Sequence, residues 1–289
     1  MASLLKPFKK RRDPSTNPPI QILSDLHLEL NQQYTSFTIP ETAPLLLLSG
    51  DIGRLADYDE YLKFLETQVR QYRKVFLVLG NHEFYSLSHE CGLAEAHRLA
   101  NEPSLHGNLI LLHRTRWDDP DSTLTILGCT LWSRVPDEAC SIVESRINDF
   151  KMIEGWTVQK HNAAHLEDVT WLREQVAKIA SQDEKTPRQI LVATHHAPCL
   201  KGTSRPEHSN NPWSSGFATD LVDRGRWDGV KTWVFGHTHY STRFVRRGIE
   251  IVANQRGYVL PAREGKPEQD LEGGQKNGRK FDPAMIVTI

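Results

Sequence analysis

Short apolar runs recur along the chain at residues 20–23, 45–48, 75–79, 109–112, 124–127, 190–193 and 232–235. They are four or five residues long and barely alternate, which predicts strands covered on both faces. Between the second and third runs, Tyr58, Tyr61, Leu62, Leu65, Val69 and Tyr72 fall at helical spacing. Asp57, with Glu60 three residues on, reads there as a capping box. A strand-helix-strand unit of this kind implies a right-handed crossover, a parallel strand pair and functional loops at the carboxyl ends of the strands.

A second helix is predicted over residues 163–179, where Leu166, Val169, Leu172, Val176 and Ile179 repeat every three or four positions before the 190–193 strand. Toward the end, residues 242–245, 249–253 and 285–288 read as strands, with a hairpin turn at Arg247-Gly248. Residues 261–282 are polar and rich in Gly, Glu and Lys, and read as a long mobile loop because the strand beyond them is too short to stand alone. The pattern predicts an α/β fold with a tail at residues 1–18 and one domain over residues 19–289.

Composition narrows the class. Hydrophobic residues make up 38% and charged residues 25% of the 289, with a formal net charge of -1, as in a globular protein and without the basic excess of a nucleic-acid binder. The four cysteines, Cys91, Cys129, Cys140 and Cys199, form no CxxC pair, which argues against a disulfide framework and a thiolate zinc site. No stretch is apolar enough for a signal peptide or membrane span, so a cytoplasmic protein with no membrane partner is expected. Lys9, Lys10, Arg11 and Arg12 read as a solvated tail, with a nuclear address as the alternative.

The polar residues directly after the apolar runs carry the chemistry. Asp25 and His27 follow the first, Gly50-Asp51 the second, Gly80-Asn81-His82-Glu83 the third, His195-His196 the run at 190–193, and Gly236-His237-Thr238-His239 the run at 232–235. Asp25/His27 and His237/His239 are each two apart, a spacing that lets both members of a pair face one centre in an extended turn. Carboxylate, imidazole and amide donors without cysteine suit Mn, Fe, Co or Zn, and a shared carboxylate permits two ions. Gly50 and Gly80 stand where backbone must turn sharply or approach closely.

These blocks, in this order, resemble the calcineurin-like metallophosphoesterase superfamily: Asp-x-His, Gly-Asp, Gly-Asn-His-Glu, His and Gly-His-x-His. The resemblance implies a sandwich of two mixed β-sheets flanked by helices, with two divalent metal ions at one edge. It assigns Asp25, His27 and His239 to one ion and Asn81, His195 and His237 to the other, with Asp51 bridging. It favours His195 over His196, which strand alternation points the other way. The implied reaction is hydrolysis of a phosphomonoester or phosphodiester by attack of a metal-bridging hydroxide, with manganese a natural choice of metal. His82 would contact the phosphoryl oxygen or protonate the leaving group. Asp51 is followed by Ile52-Gly53-Arg54, unlike the protein Ser/Thr phosphatase branch. The stretches around Trp132, Asn148 and Asn254 resemble a branch of small phosphohydrolases instead.

Tyr85, Asn148, Asp149 and Arg256 are candidates to face a small phosphate-ester substrate, Arg256 because its fork can grip phosphate. Trp132, Trp156 and Trp213 could stack a base or pack a core edge, and Cys199 reads as a small buried residue. The alternatives are a nuclease, which the missing basic stripe argues against, and a metal-free scaffold of the same fold, which the full set of ligand positions argues against.

Overall fold

In the computed structural model the described residues are 16–182, 187–260, 269–270 and 278–289. Four parallel strands come first: β1 (Ile20–Leu23), β2 (Leu45–Ser49), β3 (Lys74–Val78) and β4 (Leu109–Leu111). Helices α1 (Tyr58–Gln71) and α2 (His89–Ala100) fill the connections around β3. A second sheet follows from β5 (Thr115–Asp118), β6 (Leu124–Cys129), β7 (Gln189–Thr194), β8 (Val230–Phe235), β9 (Thr242–Arg246) and β10 (Ile249–Ala253), in the order β5-β6-β7-β8-β10-β9. Its four inner strands are parallel, and β5 and β9 close the edges antiparallel. The helices α3 (Cys140–Arg146), α4 (Asp149–Met152) and α5 (Val158–Ala180) lie between β6 and β7. After the short pair β11 (Val259–Leu260) and β12 (Gln269–Asp270), β13 (Ile286–Val287) returns antiparallel to β1, so both sheets are mixed.

The uniform apolar runs have a direct explanation. Ile20, Ile22, Leu45, Leu47, Phe76 and Val78 point into a layer shared with Leu124, Ile126, Leu191, Ala193, Val234 and Val252 of the other sheet. The alternate positions Leu23, Leu46, Leu48, Val75 and Leu77 lie in the core that also holds Tyr61, Phe64, Leu65 and Val69 of α1 and Leu99 of α2. On the far side, Val192, Trp233, Phe235 and Ile251 pack with Val169, Leu172, Val176 and Ile179 of α5. Apart from the edge strands β5 and β9, the strands of these layers are buried on both faces, so period-two alternation disappears. The α/β sandwich of two mixed sheets flanked by helices is the fold expected from the sequence.

Several local expectations are corrected. Asp57 sits at the N-cap of α1 but caps nothing; its carboxylate instead accepts from the Arg54 guanidinium at 2.9 Å and the Tyr34 hydroxyl at 3.0 Å. Burial of the apolar face of α1 suffices to hold the helix. Leu166, placed on the buried face of the second helix, is 64% exposed, and that helix starts earlier, at Val158, where Thr157 caps it by accepting from the Lys160 amide. The hairpin turn is where it was expected: Arg247 and Gly248 have φ of 50° and 78°, both left-handed, as a two-residue turn matched to strand twist demands. Asn17, placed in the tail, donates to the Gln189 side chain and to the carbonyl of Ile289. The basic cluster 9–12 and most of the 261–282 loop lie outside the described residues. Among the described residues no helix is long and apolar enough to cross a membrane.

Candidate metal centre

Five loops leave the carboxyl ends of β1, β2, β3, β7 and β8 side by side and carry the polar blocks to one edge of the sandwich. Their backbone is unusual. Asp25, His27, Asp51, His237 and His239 all have left-handed φ, between 47° and 71°, a conformation that disfavours residues with a Cβ and persists only where surroundings over-determine it. Much of that surrounding is Glu83. Its buried carboxylate accepts from the amides of Asp51 and Ile52, both at 2.9 Å, from Gly80 at 2.6 Å and from the Tyr61 hydroxyl at 3.0 Å, tying the β2 and β3 loops together. Burial pushes the Glu83 carboxyl up to about 7, with the Asp51 charge adding to it. The close approach is literal at Gly80, where a Cβ would stand 2.2 Å from Asp51 Oδ1.

Two donor groups contain Asp51, beside a third of His27, Glu29 and His82. In one, atoms of Asp25, His27, Asp51 and His239 lie within 4.8 Å of one another, and in the other, those of Asp51, His195 and His237 do the same. Asp51 belongs to both. The carboxylates are held by backbone from other loops: Asp25 Oδ1 accepts from the His237 amide and Asp51 Oδ1 from the His82 amide, each at 2.9 Å. The His195 imidazole is held likewise. His195 Nδ1 donates to the Ser49 carbonyl at 2.9 Å, which turns Nε2 toward Asn81 Oδ1 at 3.0 Å and Asp51 at 3.3 Å. A ring nitrogen fixed from behind in this way presents its lone pair forward. Buried Asp25 Oδ2 and His237 Nε2 have no hydrogen-bond partner, and the Nε2 atoms of His27 and His239 face each other at 2.9 Å. Converging oxygen and nitrogen donors with orphaned atoms fit divalent cations. Against its own burial, the neighbouring imidazoles His195 and His82 hold Asp51 well below the usual carboxylate range.

His82 stands beside this cluster, not in either ligand group with Asp51. Its Nδ1 is 2.8 Å from Glu29 Oε1 and its Nε2 is 3.1 Å from the Tyr258 hydroxyl. Burial works to lower its pKa, but the Asp51 charge and the Glu29 hydrogen bond overcome it and raise it to about 9. Glu29 also meets His27 Nδ1 at 3.3 Å. Neither Glu29 nor Tyr258 was singled out from the sequence, although the alternation Asp25-x-His27-x-Glu29 was a readable signal. Asn81 Nδ2 donates to Asp149 Oδ1 at 2.8 Å, and the Tyr85 hydroxyl donates to the same oxygen at 2.9 Å while its ring stacks on His82. Tyr85 and Asp149 are thus brought to the cluster as supports of Asn81 and His82.

A cavity of about 630 Å³ opens over the cluster and is lined by Asp51, Asn81, His82, Asn148 and Tyr258 among others. Arg256, expected to face substrate, is not on its wall. Its guanidinium donates to the carbonyl of Leu26 and to Gln33 Oε1 and covers the Phe37 ring, bracing the β1 loop. Of the three tryptophans, only Trp213 lines the cavity; Trp132 and Trp156 are buried, with ring centroids 4.7 Å apart. Cys199 is buried, and burial pushes its thiol up to about 12.

His196 belongs to neither donor group with Asp51; its ring lies against that of His237, with centroids 4.0 Å apart, and also meets Trp132 and His161 in a buried aromatic cluster. Burial and the nearby His165 lower His161 from 6.5 to about 3. The unfolded chain therefore takes up a proton below about pH 6.5 that the folded state refuses, so stability present above that pH is lost as pH falls toward 3, by up to about 1.4 kcal/mol per pH unit. His161→Gln keeps an acceptor for the Ser133 amide and removes this titration. Urea unfolding at pH 6 and pH 5 should show the variant losing about 1 kcal/mol less than the native protein; parallel losses would mean that His161 is protonated in place.

A two-sheet sandwich with a carboxylate and imidazole cluster at its strand ends is an architecture that could hold divalent cations. The sequence profile of the calcineurin-like phosphoesterases matches residues 18–241, and the chain belongs to that family. It is 29% identical over 258 residues to uncharacterized protein L509 of Acanthamoeba polyphaga mimivirus, covering 83% of this chain and 91% of the viral one. Phosphopantetheinyl hydrolase from Mycobacterium tuberculosis shares the fold, with a TM-score of 0.60, 20% identity, and coverage of 84% of this chain and 91% of that one. A dimetal phosphatase from Danio rerio also matches, with a TM-score of 0.48, 12% identity, and coverage of 82% and 87%.

Proposed function

We propose that the protein hydrolyses a small phosphomonoester or phosphodiester with two divalent cations, within one domain over residues 19–289. The observation that carries this reading is Asp51 shared between two compact donor groups. Asp25, His27 and His239 would hold one ion and Asn81, His195 and His237 the other, with Asp51 between them. When bound, such a pair acidifies a water and neutralises charge on the entering and leaving oxygens of an in-line displacement. The residues of the chain do the rest. Asn81 is oriented by Asp149 and Tyr85. His82, held at Nδ1 by Glu29, presents Nε2 to the cavity beside the Tyr258 hydroxyl, where its protonated ring can donate to a phosphoryl or leaving oxygen.

The test is removal and return of metal. Chelator-treated protein should be inactive, and manganese should restore turnover of p-nitrophenyl phosphate or bis(p-nitrophenyl) phosphate; the faster of the two gives the ester class. At a hundredfold excess of manganese over its dissociation constant, binding should add about 2.7 kcal/mol per site to stability. A protein that binds two ions per chain yet cleaves neither ester overturns the hydrolase reading. One that binds none overturns the metal site as well.

A further inference from the structure

We propose that the substrate is an organic phosphate ester whose leaving portion carries a second anionic group, and that Arg146 and Arg205 bind that group. This rests on the hydrolase reading above and extends it from the reacting phosphate to the rest of the molecule. A cavity of about 630 Å³ is of the size that encloses a drug-sized ligand, far more than one phosphoryl group. Its carboxylates, Asp51 and Asp149, are both buried, and Asp149 Oδ1 is already committed to Asn81 and Tyr85. The remaining ionisable wall is Arg146, Arg205 and His208, beside the imidazoles of the cluster. In a chain with 35 basic and 36 acidic residues, a cavity lined by these cations and by no exposed carboxylate selects an anion.

Arg146, at the end of α3, is exposed, and its guanidinium lies 5.4 Å from the centre of the Trp213 ring. Among the described residues no carboxylate pairs with it. Stacking on an indole holds the guanidinium plane and leaves its edge N–H groups for a phosphate or carboxylate. Trp213, beside Arg146, and Phe217 and Leu200 add apolar surface to the same cavity, and Leu200 is 50% exposed although it lines it. An anion joined to a carbon framework fits this wall. In the reaction, water supplies the oxygen that bonds to phosphorus, the phosphorus–oxygen bond to the framework breaks, and the leaving oxygen keeps the bonding pair and takes a proton.

Adenosine 3′,5′-bisphosphate and adenosine 5′-monophosphate are probes that differ by one anionic group. As competitors of p-nitrophenyl phosphate turnover by the manganese-loaded protein, the bisphosphate should bind about tenfold or more tightly than the monophosphate, the worth of a charge-assisted hydrogen bond to a partly exposed arginine. R146A/R205A should bring the ratio to about one, and R146K/R205K should keep most of it. A ratio near one in the native protein, or one unmoved in R146A/R205A, overturns the proposal. If no ester is hydrolysed, the hydrolase reading fails separately, and calorimetric titration of the same metal-loaded protein with the same two probes decides the anion site by the same ratio.

Discussion

Asp51→Asn is expected to lower turnover of a phosphate ester by about a thousandfold or more and to leave the protein short of its full metal content. Loss of a group that merely supports a metal ligand costs about ten- to a hundredfold. Asp51 is the carboxylate common to both donor groups, so its loss should weaken both at once. The substitution preserves size, which isolates charge and lone pairs from packing. One side-chain oxygen of Asp51 accepts from the His82 amide, and the other faces His27 Nε2 at 3.9 Å. An asparagine must aim its NH2 either at an amide N–H or toward the centre where a cation would sit, and it has no charge to offer. The same charge is what raises His82 and His195 against their burial, so the proton-donating role proposed for His82 would be altered too. Metal analysis of the purified variant, with turnover at saturating manganese, checks both parts. Normal metal content with native turnover would reduce Asp51 to a structural acceptor and would leave the paired-ion reading without its central ligand.

The strands and the residues at their ends were legible from sequence for one physical reason. A strand covered on both faces must be apolar throughout, so the first polar residues after β1, β2, β3, β7 and β8 mark where the chain leaves the sandwich. What closes the site was harder to read. Left-handed backbone at Asp25, His27 and Asp51 is imposed by tertiary hydrogen bonds and has no residue signature, unlike the glycine of the Arg247-Gly248 turn. Helix α2 went unrecognised because only Gly92, Ala96 and Leu99 of it are buried, too few for a periodic apolar face. The capping box at Asp57 failed because Arg54 and Tyr34 compete for the same carboxylate. Arg256 shows the limit most clearly. Its chemistry suited phosphate, but whether it met the cavity or the Leu26 carbonyl depended on packing between segments 230 residues apart in the chain. Arg146 and Arg205, which do line the cavity, were not singled out: Arg146 stands beside the Asn148 stretch without being part of a ligand block, and Arg205 lies in a stretch without any motif.

Glu83 is the residue whose loss should cost the fold most. It stood in the sequence as the last letter of a motif, while in the structure it is the acceptor that keeps the Asp51 and Asn81 loops in register. Glu83→Ala leaves the buried amides of Asp51, Ile52 and Gly80 and the Tyr61 hydroxyl without their acceptor. Each orphaned buried donor costs about 1–3 kcal/mol, and water entering the vacated space recovers part of it, so a net loss of about 4 kcal/mol is expected. Glu83→Gln keeps the volume and one oxygen but turns an NH2 toward amide donors, since both carboxylate oxygens accept from backbone; about 2 kcal/mol should follow. Urea unfolding of the two variants should therefore rank native, Gln and Ala in that order. The left-handed turn at Asp51 is held partly by these bonds, so manganese affinity should fall about ten- to a hundredfold in Glu83→Gln even where the protein remains folded. If Glu83→Ala unfolds within 1 kcal/mol of the native protein, as a surface substitution would, then the strands alone hold the ligand loops and the clamp is dispensable. A large loss of stability with unchanged manganese affinity would separate the two roles, leaving Glu83 as a support of the fold that does not shape the site.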